Sequence, residues 1–218
     1  MRIIETEAYT FDELNDKAKE RARQWWREGG FDYEWWDAVY EDATSIAKIL
    51  GIDINTKDRN WVNTSTGKSG TVKETCIYFS GFSSQGDGAC FEGYYSYSKG
   101  WKKKLKAYAP TDKALFDIGE DLQAAQRTAQ WSAHASCKNV GHYCHSGCME
   151  VGVDWEEGAN KEGEAYEMVS IIKQCMRDFA DWIYKQLEAE YDYRNEDEQV
   201  DETIRANQYE FTKEGVRI

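Results

Sequence analysis

Proline is almost missing from this chain, one in 218 residues, and no Ser/Pro or Gln/Asn tract interrupts it. With 9 Trp and 14 Tyr on hand, that scarcity excludes a disordered chain despite a mean hydropathy of −0.79. Positive charge is short as well: 27 Lys and Arg face 40 Asp and Glu, for a net charge of −13. A general nucleic-acid binder working by phosphate neutralisation is therefore disfavoured, whereas a basic partner is not. Residues 1–20 hold no apolar run of about seven, and no stretch approaches the roughly 20 that cross a bilayer. A cytoplasmic location follows as the expectation, with no membrane partner. The six cysteines are then read as reduced thiols rather than three disulfides.

What is present is periodic. Residues 2–11 alternate like a short strand, and Thr10 stands three residues before Glu13, the spacing of a capping box. Phe11, Leu14, Ala18, Ala22 and Trp25 then mark one helical face up to Gly29-Gly30. Trp36, Val39, Tyr40, Ala43, Ile46, Ala47 and Leu50 mark a second, so 11–50 reads as a helical hairpin closed by Gly51. Of Trp25-Trp26 and Trp35-Trp36, one member each lies on the seam and the other stands partly outside.

Residues 51–70 read as a polar connection with one short strand at Ile52–Ile54. From 72 to 98 the period is two, around a glycine-containing turn, and predicts a hairpin. Leu115, Ile118, Leu122, Ala125 and Ala129 mark a helix introduced by Pro110-Thr111. A second hairpin joins Ala133, Ala135 and Cys137 to Met149, Val151, Val153 and Trp155 through a turn near Gly141. The longest helix runs from about 164 to 191 on the seam Met168, Ile172, Cys175, Phe179, Trp182, Ile183 and Leu187. Asn195 with Glu198 repeats the capping-box spacing before a short helix bearing Val200 and Ile204, and an extended pair closes about Gly215. The expectation is a single α+β domain over 1–218. Its antiparallel sheet has about four strands from two hairpins within 72–155, packed against the 11–50 helical hairpin and the 164–207 helices.

Two segments concentrate chemistry. In Phe79–Gly93, three glycines within eight residues surround two hydroxyls, an amide and a carboxylate. Such a loop can turn backbone N–H groups toward a phosphate, with Gln85 and Asp87 on hydroxyl or base edges and Phe82 or Phe91 stacking. The competing reading is a plain hairpin turn with positive φ at Gly86 or Gly88 and an Asx turn at Asp87. No Gly-Lys-Ser/Thr is present, so P-loop hydrolysis is not indicated. The other segment holds His134, Cys137, His142, Cys144, His145 and Cys148, potential zinc ligands whose spacing fits no standard finger. Otherwise His142 and His145 are polar groups at a hairpin tip, suited to an anionic ligand or to acid–base work. The two tips meet only if Lys99–Ala109 carries the chain back before the next strand. The Lys99–Lys106 run reads as a solvated face or a phosphate patch, and the acidic 186–202 stretch as a solvated helix face or a surface for a basic partner.

The segments YTFDELNDKAKERARQWW, EWWDAVYEDA, YFSGFSSQGDGACFEG, GHYCHSGCMEV and DEQVDETIRANQYEFTKEG together resemble a family of bacteriophage and prophage proteins commonly labelled as the antitoxin of a toxin–antitoxin stability system. The resemblance spans nearly the whole chain. Its second hairpin resembles GHYYHSGCM, from which Cys144 departs, and this weakens a shared zinc site using that thiol. By resemblance, Ser83 to Asp87, His142 and His145 define a common ligand site, in a protein acting in the host cytoplasm. The leading expectation is a noncatalytic phage accessory protein that sequesters a small anionic, nucleotide-like metabolite to counter host defence. Its ligand set is Phe82, Ser83, Ser84, Gln85, Gly86, Asp87, Gly88, His142 and His145, with no metal, cofactor or catalytic residue assigned. The alternatives are a protein-binding inhibitor or antitoxin using exposed Trp and acidic surfaces against a host protein, and an enzyme in which Asp87 or His142 moves a proton. A homo-oligomer is left open.

Overall fold

The computed structural model describes residues 7–29, 34–156 and 162–218. Among them, six α-helices and antiparallel strands make the expected α+β fold, with a four-stranded sheet and a long C-terminal helix. No helix of the described residues is long and apolar enough to cross a membrane. Backbone proximity divides the chain, expected as one domain over 1–218, into two compact units: residues up to Asp37 with Leu187–Ile218, and Ala38–Gln186.

The first unit opens on β1 (Tyr9–Thr10), the described part of the 2–11 strand reading, whose first five residues lie outside the described ones. The Glu13 carboxylate accepts from the Thr10 N–H and hydroxyl, both at 2.8 Å, so the capping interaction forms where expected. It closes only a 3₁₀ turn, Phe11–Glu13, because Leu14 is extended. Helix α1 (Asp16–Gly29) starts afresh, with Asn15 Oδ1 accepting from the Ala18 N–H at 3.0 Å; Gly30, the other half of the expected stop, lies outside the described residues. The buried stripe is Ala18, Ala22 and Trp26, a four-residue step that favours Trp26 over Trp25. Trp35 rather than Trp36 is likewise the buried member of its pair.

Helix α6 (Asp197–Ala206) packs on α1, and Val200 and Ile204 complete a core with Phe11, Leu14, Ala18, Ala22, Trp26 and Phe211. The expected Asn195 cap is not made: its amide donates to Tyr191 C=O, and Glu196 occupies the cap position. Strand β10 (Glu210–Phe211) pairs with β1, and Phe211 bridges to Arg217 around Gly215, the expected terminal pair. Arg23 binds Asp201 through two parallel bonds of 2.7 and 2.8 Å, so part of the acidic stretch is neutralised inside this unit.

The second unit begins, after Asp37, with α2 (Asp37–Leu50), which buries Ala43, Ile46, Ala47 and Leu50. Strands β2 (Ile52–Ile54), β7 (Gly93–Ser96), β8 (His134–Asn139) and β9 (Met149–Asp154) form the four-stranded sheet in the order β2-β7-β8-β9. Its members differ from those expected. The second hairpin supplies β8 and β9, but the first splits. Here β5 (Ile77–Ser80) pairs with β6 (Gly88–Phe91) as a separate two-stranded ladder, and only β7 continues into the sheet beside β2. The stretch read as a polar connection holds half of a hairpin, β3 (Thr56–Val62) with β4 (Ser69–Thr75), turned on Asn63, whose Oδ1 accepts from Ser65 and Thr66 N–H. Every residue of β3 is exposed, so no apolar alternation could announce it.

Across the sheet, the rows Ile52-Tyr95-Ala135-Val153 and Ile54-Gly93-Cys137-Val151 share the inward face. Between β7 and β8 come α3 (Trp101–Tyr108) and α4 (Lys113–Thr128). The lysine run is the outer face of α3, with Trp101 and Leu105 buried and Lys102, Lys103, Lys104 and Lys106 exposed. Asp112, not Pro110-Thr111, caps α4, accepting from the Leu115 N–H and, through its other oxygen, from the Trp182 indole. Helix α5 (Glu162–Asn195) presents the expected seam, all of it buried, and sets Phe179 edge-on to Phe91 of β6 at 5.7 Å.

Candidate functional site

Because α3 and α4 return the chain, β8 runs antiparallel to β7, and the 140–148 turn therefore lies alongside β6, the strand that feeds β7. The two chemistry-bearing segments meet there. Gly88 is buried beneath the second turn: a Cβ on it would stand 2.8 Å from His145 Cδ2, 3.1 Å from His145 Cα and 3.2 Å from Cys144 O. Only a residue without a side chain lets the two backbones approach this closely.

Asp87 organises the first tip. Its Oδ2 accepts from the Ser83 and Ser84 N–H groups at 2.9 and 2.6 Å, and its own N–H donates to Ser84 C=O. Two of the N–H donors expected to face a phosphate are thus taken by the loop's own carboxylate. The arrangement also differs from an Asx turn, because the carboxylate reaches backwards along the chain. The turn does need its glycine: Gly86 has φ +101°, where a Cβ is strained. Phe82 was expected to stack on a ligand, but it stacks between Phe79 at 5.9 Å and Tyr184 at 5.5 Å, and the Tyr184 hydroxyl donates to Gly81 C=O. Of the expected ligand residues Phe82–Gly88, Ser83, Ser84, Gln85 and Gly86 are exposed.

At the second tip, His142 is exposed beside Tyr143. His145 is half-buried, and its Nδ1 accepts from the Gly147 N–H at 2.9 Å, which caps the Ser146–Cys148 turn and leaves the neutral ring's proton on Nε2. His145 therefore frames the site, and His142 is the imidazole free to meet a ligand. His134 pairs across from Asp154 on the sheet, and Cys137 is buried between Gly93 and Val151. Among the described residues, no three His, Cys, Asp or Glu side chains gather as metal ligands.

Sequence reasoning missed two participants. Tyr184 lies a hundred residues away on α5, and nothing local marks it as the anchor of the loop. Cys90, buried on β6, neighbours Cys144 and Cys148; burial, then the charge of Cys144 and a hydrogen bond with it, push its thiol up to about 12. A thiol raised this far stays protonated below that pH, and the protonated form is not the nucleophile. At pH 8, iodoacetamide should therefore modify the half-buried Cys144 and Cys148 first and leave Cys90 at least tenfold slower, as read by peptide mass spectrometry. Equal rates for Cys90 and Cys148 would contradict this arrangement.

A family model described as Domain of unknown function (DUF8835) matches residues 35–197, most of the chain. No curated protein and no solved structure matches it.

Proposed function

The chain belongs to the family described as Domain of unknown function (DUF8835), and for it we propose a noncatalytic role. It is a phage accessory protein that binds a small anionic, nucleotide-like metabolite and withholds it from host defence. One observation supports this reading: Gly88 and His145 approach closely, which brings two polar turns from distant parts of the sequence side by side. On these two turns, Ser83, Ser84, Gln85, Gly86 and His142 stand exposed, held by Asp87 and Phe82 on the first and by His145 on the second. Hydroxyls, an amide and an imidazole suit phosphate and base edges, and the internal bonds of the frame reduce the ordering cost of binding.

Small molecules released by denaturing freshly purified protein and identified by mass spectrometry test the reading. The expected result is an intact ultraviolet-absorbing anion, rebound in calorimetry, with Gln85→Ala and His142→Ala each weakening it about tenfold. An absence of released ligand, together with no calorimetric binding across nucleotides, overturns it. Turnover of the ligand would favour the enzyme instead. Tight capture of a host protein, weakened by charge reversal at Glu196 and Glu198, would favour the inhibitor. Asp197 is a poor choice for that reversal because Arg27 and Arg23 already hold it, keeping its carboxyl below the usual range.

A further inference from the structure

The inward rows of the sheet are buried at Ile52, Tyr95 and Ala135, but the cover thins at the last member, Val153 on the edge strand β9. Trp155, two residues on, continues the same face and is also only half-covered. Opposite them, α5 presents Ala165, Val169 and Lys173, one stripe at four-residue steps, with Tyr166 beside it. These six residues line a cleft of about 310 Å³, at the lower end of the about 300–1,000 Å³ of small-molecule sites. Its walls are mainly apolar, with two aromatic rings and a single ammonium. Tyr166 is 74% exposed although its ring borders the cleft, a large apolar surface left in water. Among the described residues, Lys173 makes no ion pair.

We infer that this cleft binds a small molecule with a flat apolar body and one negative charge, an aromatic carboxylate in chemical class, whose carboxylate meets Lys173. The apolar walls match the body, and the lone ammonium matches the charge. The limit of one charge follows from the surroundings. Glu164 and Glu167 are exposed on α5 beside the cleft in a chain of net charge −13, and among the described residues that line it Lys173 is the one cation, so each further negative charge would meet repulsion. A nucleotide is therefore the wrong ligand here, and this site is independent of the one formed at the two turns.

Ligand-observed NMR on the full chain with 2-naphthoate and its neutral isostere 2-naphthamide tests the assignment. Naphthoate should bind about tenfold more tightly than the amide, the usual scale for one charge-assisted contact. Lys173→Met should erase that difference while leaving the amide unchanged. Ala165→Phe, which fills the cleft, should abolish binding of both. Tyr166→Ala, at a surface position where folding is not at stake, should weaken both several-fold. No binding of either probe to the wild type overturns the site. Equal affinity of the two probes for the wild type, or binding that survives both Ala165→Phe and Tyr166→Ala, overturns it as well.

Discussion

Truncating Phe179 to alanine is expected to lower the unfolding free energy by about 3–5 kcal/mol, the range for aromatic removal from a packed interior. Phe179 is wholly buried in the middle of the α5 seam. Its ring meets the edge of Phe91 at 5.7 Å with planes at 80°, and stacks on Trp182 at 5.7 Å with planes at 7°. It therefore fixes α5 to β6, and through Trp182, whose indole donates to Asp112, it also supports the start of α4. Three elements lose a shared neighbour at once, and neighbours that are themselves ring-packed or hydrogen-bonded cannot collapse into the gap. In a domain of this size the loss corresponds to a melting shift of roughly 10 °C. Urea unfolding followed by circular dichroism checks it, with Phe179→Leu as the smaller change. A loss under about 1 kcal/mol for the alanine would mean that the sheet and α5 are not packed as described.

How far the fold could be read depended on whether an element is covered on one side. The α5 seam and the β8–β9 alternation were legible because water on one face and core on the other impose a period on the residues. The β3–β4 hairpin was not, since β3 is exposed throughout, no residue of β4 is buried, and no such period is imposed. Local chemistry was legible only as far as it is local. Thr10 and Glu13 do form their capping bonds, yet nothing in four residues says whether a 3₁₀ turn or a long helix follows. At the candidate site, composition pointed to both tips. Their meeting depends on β7–β8 pairing across the intervening segment that holds α3 and α4, and the loss of Phe82 and two N–H donors to internal partners depends on Tyr184 and on the reach of Asp87.

Gly88→Ala is the second large effect expected, and it bears directly on the candidate site. Gly88 lies in a strand without positive φ, so the added methyl brings no backbone strain of its own; the cost comes from what it meets. His145 Cδ2 at 2.8 Å can swing away, but His145 Cα at 3.1 Å and Cys144 O at 3.2 Å are backbone, and moving them moves the second turn. Overpacking of this kind costs about 1–3 kcal/mol. The displaced turn would carry off the His145 Nδ1 that holds the Gly147 N–H, so that amide should exchange with solvent faster, and the His142 and Cys144 resonances should shift. Gly86→Ala provides the contrast: its methyl enters open space, and its penalty is the positive φ alone, about 1 kcal/mol and confined to the first tip. If the two tips form one binding surface, Gly88→Ala should also weaken metabolite binding at least as much as Gln85→Ala or His142→Ala does. A Gly88→Ala protein with native stability and an unshifted His145 would show that the two turns do not touch, and the shared surface on which the proposed function depends would be lost.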